Sequence, residues 1–160
     1  MKTFTTILCS LFILCNLNAQ KKTKDVKVDS HKLRWQLDYN KARKISLEQK
    51  KPILLFFTGS DWCGACIQLE KEYFSKSSFI KLAQEFVLVE LDFPSKEEFV
   101  RKAYIEDYMM LRKKYNAKAF PTVLLLDTKS NVIGRVSGFR GKDTKRIYTN
   151  LLKAALEAIL

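Results

Sequence analysis

Thr58-Gly59-Ser60-Asp61-Trp62-Cys63-Gly64-Ala65-Cys66 is the stretch on which the reading of this chain turns. A continuous apolar run, Ile53 to Phe57, leads into it, and a pattern with helical spacing, Ile67 to Tyr73, leads out. Two cysteines two residues apart at a strand-to-helix junction suit reversible disulfide chemistry. The first would sit at the helix N-terminus, where unpaired backbone N–H groups and the helix dipole favour an anion. That lowers its pKa and raises its thiolate fraction. The second stands one helical step behind, close enough to attack a mixed disulfide and release the partner.

Working outward, the chain divides into three parts. Residues 1–19 read as a secretory signal peptide: Lys2 supplies a positive start, Ile7 to Leu17 an apolar core, and Ala19 a small residue for cleavage. The apolar core is too short for a comfortable membrane span. The alternatives are an uncleaved anchor and a lipoprotein attached through Cys9 or Cys15. Leu8 and Leu14 speak against the second, since a lipobox needs a small residue there. Residues 20–32 are lysine-rich with few large apolar side chains, the composition of a mobile basic linker. Residues 33–160 carry the folded domain, long enough for one real hydrophobic core. Only 5 glycines and 3 prolines are present, which excludes a low-complexity chain.

Cleavage leaves only Cys63 and Cys66 of the 4 cysteines. One pair spaced CxxC is no disulfide scaffold, and two ligands with His31 far away are too few for an ordinary structural zinc site. No metal or cofactor is therefore expected, because electrons can pass by thiol exchange alone. The formal charge of +12 loses only Lys2 on cleavage. Beyond Lys21–Lys32 the lysines are scattered, so the charge reads as a solvated surface and no nucleic-acid partner is expected.

Along the domain, a strand is expected at Leu33–Leu37 with Trp35 inward, then a helix over Tyr39–Lys50 ended by Pro52. Ile53–Phe57 suits a central strand covered on both faces. Ile67, Leu69, Tyr73 and Phe74 continue a helix on its core side, and Ser77 or Ser78 can cap a short helix at Phe79–Gln84. Phe86–Leu91 is a strand closed by Asp92-Phe93-Pro94. Ser95–Tyr115 is the longest helical pattern, with Ser95 and Glu98 as a capping box and an aromatic stripe suited to core packing. Thr122–Leu126 and Val132–Val136 form a hairpin, and Asp143 caps a final helix, Thr144–Leu160. The order β-α-β-α-β-α-β-β-α is an α/β class chain: a central mixed sheet, parallel in part with a C-terminal antiparallel hairpin, and helices on both faces.

Trp62-Cys63-Gly64-Ala65-Cys66, followed at a distance by Phe120-Pro121-Thr122, resembles the thioredoxin superfamily over roughly Leu33–Leu160. Within it the chain is most similar to the periplasmic C-terminal domain of the transmembrane thiol–disulfide reductase DsbD, and to secreted thioredoxin-like proteins near it. The shared features are Asp61-Trp62-Cys63-x-Ala65-Cys66, Leu69-Glu70-Lys71, Phe74-Ser75 and Val136-Ser137-Gly138-Phe139.

The resemblance implies a thioredoxin fold and a thiol:disulfide oxidoreductase of the periplasm or secreted space. Cys63 would be the attacking nucleophile and Cys66 the resolving cysteine. Pro121 would be the cis-proline whose loop binds substrate backbone, with Phe120 and Trp62 beside it; Trp62 would mainly shield the site. Disulfide-containing exported proteins and an upstream thiol donor are the implied partners, and the chain is expected to be a monomer touching membrane only if the signal is retained. Gly64 and Ala65 cannot stabilise a thiolate as the histidine of strong oxidants does, which favours a reductase over an oxidase or isomerase.

The chain departs from the family in one respect that bears on mechanism. Many thioredoxins carry a buried aspartate six residues before the first cysteine, where this chain has Phe57. Glu70, four residues after Cys66 on the same helix face, is the candidate proton acceptor for Cys66, and Glu90 is the second candidate. The long Ser95–Tyr115 segment is a further departure. The rival function is a thioredoxin-like binding or chaperone module without turnover, against which the intact CxxC argues.

Overall fold

The computed structural model describes residues 33–96 and 102–158. The expected signal segment 1–19 and linker 20–32 lie outside the described residues. Four strands form one mixed sheet in the order β2-β1-β3-β4: β1 (Ile53–Thr58), β2 (Val87–Asp92), β3 (Thr122–Leu126) and β4 (Val132–Ser137). β1 runs parallel to β2, with Ile53 opposite Val87 and Thr58 opposite Asp92, and antiparallel to β3. The hairpin β3–β4 closes the sheet, with a register shift between Leu125 and Leu126.

Every residue of β1 is buried, which accounts for its unbroken apolar sequence. Its even-numbered side chains, Leu54 and Phe56, enter a core with Leu69, Phe74, Phe79, Tyr148 and Leu152. Its odd-numbered side chains, Ile53, Leu55 and Phe57, enter a second core with Ala42, Tyr108, Leu111 and Tyr115. Period-two alternation thus divides one strand between two helical layers. α1 (Tyr39–Gln49) and α4 (Lys102–Lys114) serve the second core. α2 (Gly64–Leu69), α3 (Ser77–Ala83) and α5 (Lys142–Glu157) serve the first. The thioredoxin fold expected from the sequence is the fold observed.

Local differences have local causes. The strand expected at Leu33–Leu37 is a single parallel bridge, Gln36 to Val89. Two residues later Asp38 caps α1, its carboxylate accepting from Lys41 N–H at 3.0 Å, so the chain turns away before more pairs form. The helix after Cys66 is not a uniform α-helix: Glu70–Phe74 is π-helical, with Ser75 N–H donating to Glu70 C=O at 2.9 Å. Tyr73 and Phe74 are adjacent aromatics and both are buried. The wider turn lets both reach the core, Phe74 at 4.5 Å from Phe79 and Tyr73 at 5.7 Å from Tyr148 between ring centroids.

α3 begins at Ser77, earlier than expected, with Lys76 rather than Ser77 or Ser78 at the cap. α4 is described from Lys102 onward; the expected start at Ser95 with Glu98 as its capping partner runs through residues 97–101, which lie outside the described residues. The cap of α5 is Gly141, not Asp143. Its φ of 74° is a conformation that glycine adopts without strain, and Asp143 stands exposed in the first turn.

Candidate active site

Cys63 is the N-cap of α2, and its sulfur accepts the Cys66 N–H at 3.2 Å. The two cysteines form a disulfide across a Cα–Cα distance of 5.2 Å. Cys63 retains 6% exposure and Cys66 none, so an incoming sulfur can reach only the first. Gly64, beside it, is exposed and has no side chain to block approach. On reduction, the helix-start N–H groups that now face Cys63 would favour its thiolate.

Trp62 and Phe120 meet edge to face, 5.6 Å between ring centroids, and the Phe120–Pro121 bond is cis, as the resemblance implied. This contact joins the CxxC loop to the loop that opens β3. Trp62 is half exposed, and its indole N–H donates to the Phe93 carbonyl at 2.7 Å. Under the indole lies Gly59: a Cβ there would stand 2.4 Å from the ring, so only glycine fits.

A double clasp that sequence reasoning missed holds this loop. Asp92 accepts from Ser60 N–H at 2.8 Å and from its hydroxyl at 2.6 Å. In return, Asp61 accepts from Ser95 N–H at 2.9 Å and its hydroxyl at 2.5 Å. The Ser95 bonds hold the exposed Asp61 carboxyl below the usual carboxylate range. The alternation Ser60-Asp61 against Asp92…Ser95 is the one sequence signal of this pairing, and it needs the strand register to be read. Arg112, also missed, lies over Phe120 at 4.9 Å and Phe93 at 5.7 Å, with its Nε–H donating to Ala117 C=O at 3.1 Å.

Phe57 is fully buried in the second core, its ring stacked on Phe93 at 6.5 Å, so no carboxylate stands at that position. Glu70 follows α2 directly, its N–H donating to Cys66 C=O. Burial raises the Glu70 carboxyl above its ordinary range, and the Asp92 charge raises it further. Neither Glu70 Oε1 nor Thr58 Oγ1, both buried, has a hydrogen-bond partner among the described atoms. Glu90 is pushed up to about 7 by burial, then by the charges of Glu70 and Asp92.

Residues 39–154 match the family described as the thioredoxin-like domain. Thioredoxin-related protein DsbJ of Chlamydia pneumoniae is 31% identical over 145 residues, which is 90% of this chain but 39% of DsbJ. Disulfide bond reductase DsbH of the same organism is 31% identical over 126 residues, 78% of this chain and 74% of DsbH. A solved DsbH oxidoreductase structure superposes with a TM-score of 0.67 at 30% identity, over 76% of this chain and 85% of that one. Thiol:disulfide interchange protein DsbD of Yersinia pestis is 31% identical over 93 residues, 57% of this chain and 14% of DsbD. The chain therefore spans well under half of DsbJ, a small part of DsbD and about three quarters of DsbH. Coverage on this scale reaches far beyond the CxxC, and this chain belongs to the thioredoxin-like domain family, among its thiol–disulfide oxidoreductases.

Proposed function

We propose that the chain reduces disulfides of exported proteins, with Cys63 as nucleophile and Cys66 as resolving cysteine. The observation that carries this reading is the asymmetry of the pair: Cys63 is the helix cap and the reachable sulfur, while Cys66 is sealed behind it. The Cys63 thiolate attacks one sulfur of a partner disulfide, and the other partner sulfur leaves as thiolate. Cys66 gives up its proton and attacks Cys63, the bond from Cys63 to the partner breaks, and the partner leaves reduced. The Cys63–Cys66 disulfide is then reopened by a thiol donor, and the direction follows the potentials of donor and partner.

Support for reduction over oxidation comes from Gly64 and Ala65, neither of which adds charge to the thiolate, and from the name of the disulfide bond reductase DsbH. The exposed Trp62, Phe120 and the cis-Pro121 loop would receive the partner's backbone. Export to the periplasm or beyond rests on residues 1–19. No described helix is long and apolar enough to cross a membrane. The protein would act as a monomer, touching membrane only if the signal segment is retained. The test is a redox titration of the purified protein in thiol–disulfide buffers, with turnover of a model disulfide protein. Reversible cycling with net reduction supports the proposal. A pair that never cycles would leave a binding module instead.

A further inference from the structure

The last turn of α4 stands beside the loop that opens β3, and it carries a guanidinium that its surroundings do not use up. Arg112 Cζ lies 4.9 Å from the Phe120 ring centroid and 5.7 Å from that of Phe93, and Phe120 in turn meets Trp62. The Arg112 Nε–H donates to Ala117 C=O at 3.1 Å, while its two Nη groups have no hydrogen bond or ion pair among the described residues. The helix end does not need this charge as a cap. Ala117 N–H donates to Arg112 C=O at 3.0 Å and Asn116 N–H to Lys113 C=O at 3.1 Å, with Asn116 left-handed at a φ of 50°. Arg135, reaching from β4, donates to the Tyr115 and Asn116 carbonyls. Other groups thus occupy the carbonyls that a cation at a helix C-terminus would serve.

Arg112 also lines an open cleft of about 290 Å³, together with Met109, Lys113 and Lys118. Both lysines are exposed, and neither is ion-paired among the described residues. None of the described residues lining the cleft is a carboxylate. The carboxylates next in sequence to Trp62 and Phe93, Asp61 and Asp92, are committed to Ser95 and Ser60. Three cations without a counter-charge among the described residues therefore border the Phe120–Pro121 loop. A planar guanidinium with both Nη groups unoccupied suits a carboxylate, which accepts two parallel N–H bonds. We propose that Arg112, with Lys113 and Lys118, forms a specificity-determining subsite for an acidic side chain of the partner protein. Only one phenyl ring separates Arg112 from Trp62, so on an extended partner chain the acidic residue stands roughly two to four positions from the cysteine under attack. Met109, half exposed in the same cleft, offers an apolar wall to the methylenes of that side chain. The substrate class is a disulfide protein with acidic residues near its cysteine, drawn by a chain of formal charge +12 and oriented by Arg112. The inference rests on the reductase reading of the two cysteines.

In the experiment the purified protein, reduced and freed of reductant, is mixed with dye-quenched peptides that fluoresce when their disulfide is broken. Three peptides differ only in carrying Glu, Gln or Lys two to four residues on either side of one cysteine. The apparent second-order rate constant of a single turnover is read for each. At about 20 mM salt the Glu peptide should react about fivefold faster than the Gln peptide, and the Lys peptide more slowly than both. The Glu-to-Gln ratio should shrink as salt rises to about 500 mM, a readout that needs no variant. In Arg112→Gln the ratio should fall toward one, and Lys113→Gln or Lys118→Gln should lower it partway. Lys81→Gln removes a charge from α3, on the other face of the sheet, and should leave the ratio unchanged; an equal fall there would assign the preference to net charge and overturn the subsite. Loss of packing over Phe120 would slow all three peptides alike, so the ratio separates recognition from structure. Equal rates for the three peptides, or a ratio untouched in Arg112→Gln, overturn the subsite and leave the reductase reading intact. Sedimentation with vesicles of anionic lipid, lost in Arg112→Gln and without any peptide preference, overturns it in favour of a membrane surface. Reduction of none of the peptides is instead the failure of the reductase reading, and the inference falls with it.

Discussion

The Asp61 carboxylate accepts both the backbone N–H and the hydroxyl of Ser95, at 2.9 and 2.5 Å, across the mouth of the disulfide loop. With the reciprocal Ser60–Asp92 bonds, it ties the loop before Cys63 to the loop after β2. Trp62 rides on this tie through its bond to Phe93 C=O. Ser95→Ala should therefore free Trp62 without breaking the fold: its fluorescence anisotropy should fall and KM for a disulfide substrate should rise about two- to fivefold, with kcat nearly unchanged. Because the clasp depresses the Asp61 pKa, its contribution is present above the ordinary aspartate value and is lost as pH falls through the lower folded value. Trp62 anisotropy should thus stay flat across neutral pH and drop only in strong acid. A drop near neutrality would show that some other group holds the indole.

The role of each cysteine is checked by trapping. Cys63→Ser should abolish reduction of a model disulfide protein, a loss of at least about a thousandfold. Cys66→Ser should accumulate the mixed disulfide, visible as a shifted band on non-reducing electrophoresis. If Cys63→Ser forms the trap instead, the assignment is reversed.

Gly59→Ala places a methyl group where the Trp62 ring now lies, 2.4 Å from the nearest ring atom. Either the indole leaves its bond to Phe93 or the loop shifts. Denaturant unfolding should show a loss of about 1–3 kcal/mol, together with lower reductase activity. Unchanged stability and activity would mean that the indole moves aside without consequence for the site.

Glu90 also leaves a mark on stability. Its carboxyl titrates at about 7 in the fold against an ordinary 4.5, so the folded state binds more protons than the unfolded one between those values. Stability should then fall as pH rises through this window, by roughly 2–4 kcal/mol in all. Glu90→Gln should flatten the dependence of Tm on pH and raise Tm at pH 8. A Tm for the unmodified protein that rises from pH 5 to pH 8 would contradict the burial of this charge.

Restoring the family's aspartate should not help. Phe57→Asp would put a carboxylate into the second core, where Phe57 is fully buried among apolar side chains and stacked on Phe93. The expected cost is on the order of 3–5 kcal/mol, from the lost packing and the unpaired polar group. Chemical denaturation measures it, and a stable variant with faster resolution would show that the core tolerates the family's arrangement.

The amino-acid sequence by itself determined the central strand, the CxxC at its end and the two-faced burial of that strand, while the cis-proline was implied by the family resemblance. The strand and the CxxC are local matters: an unbroken apolar run and a cysteine spacing are legible because each acts within a few residues. Phe57 was legible as a departure only against the family resemblance, and helical spacing then offered Glu70 as a candidate remedy. The tertiary structure decided what depends on pairing distant segments. Leu33–Leu37 became one bridge because Asp38 draws the chain into α1. Ser95 binds Asp61, because the parallel register of β1 and β2 brings their ends together. Only that register sets Glu90 beside Glu70 in one cleft, where burial and like charge, invisible in a linear chain, change what two ordinary glutamates can do.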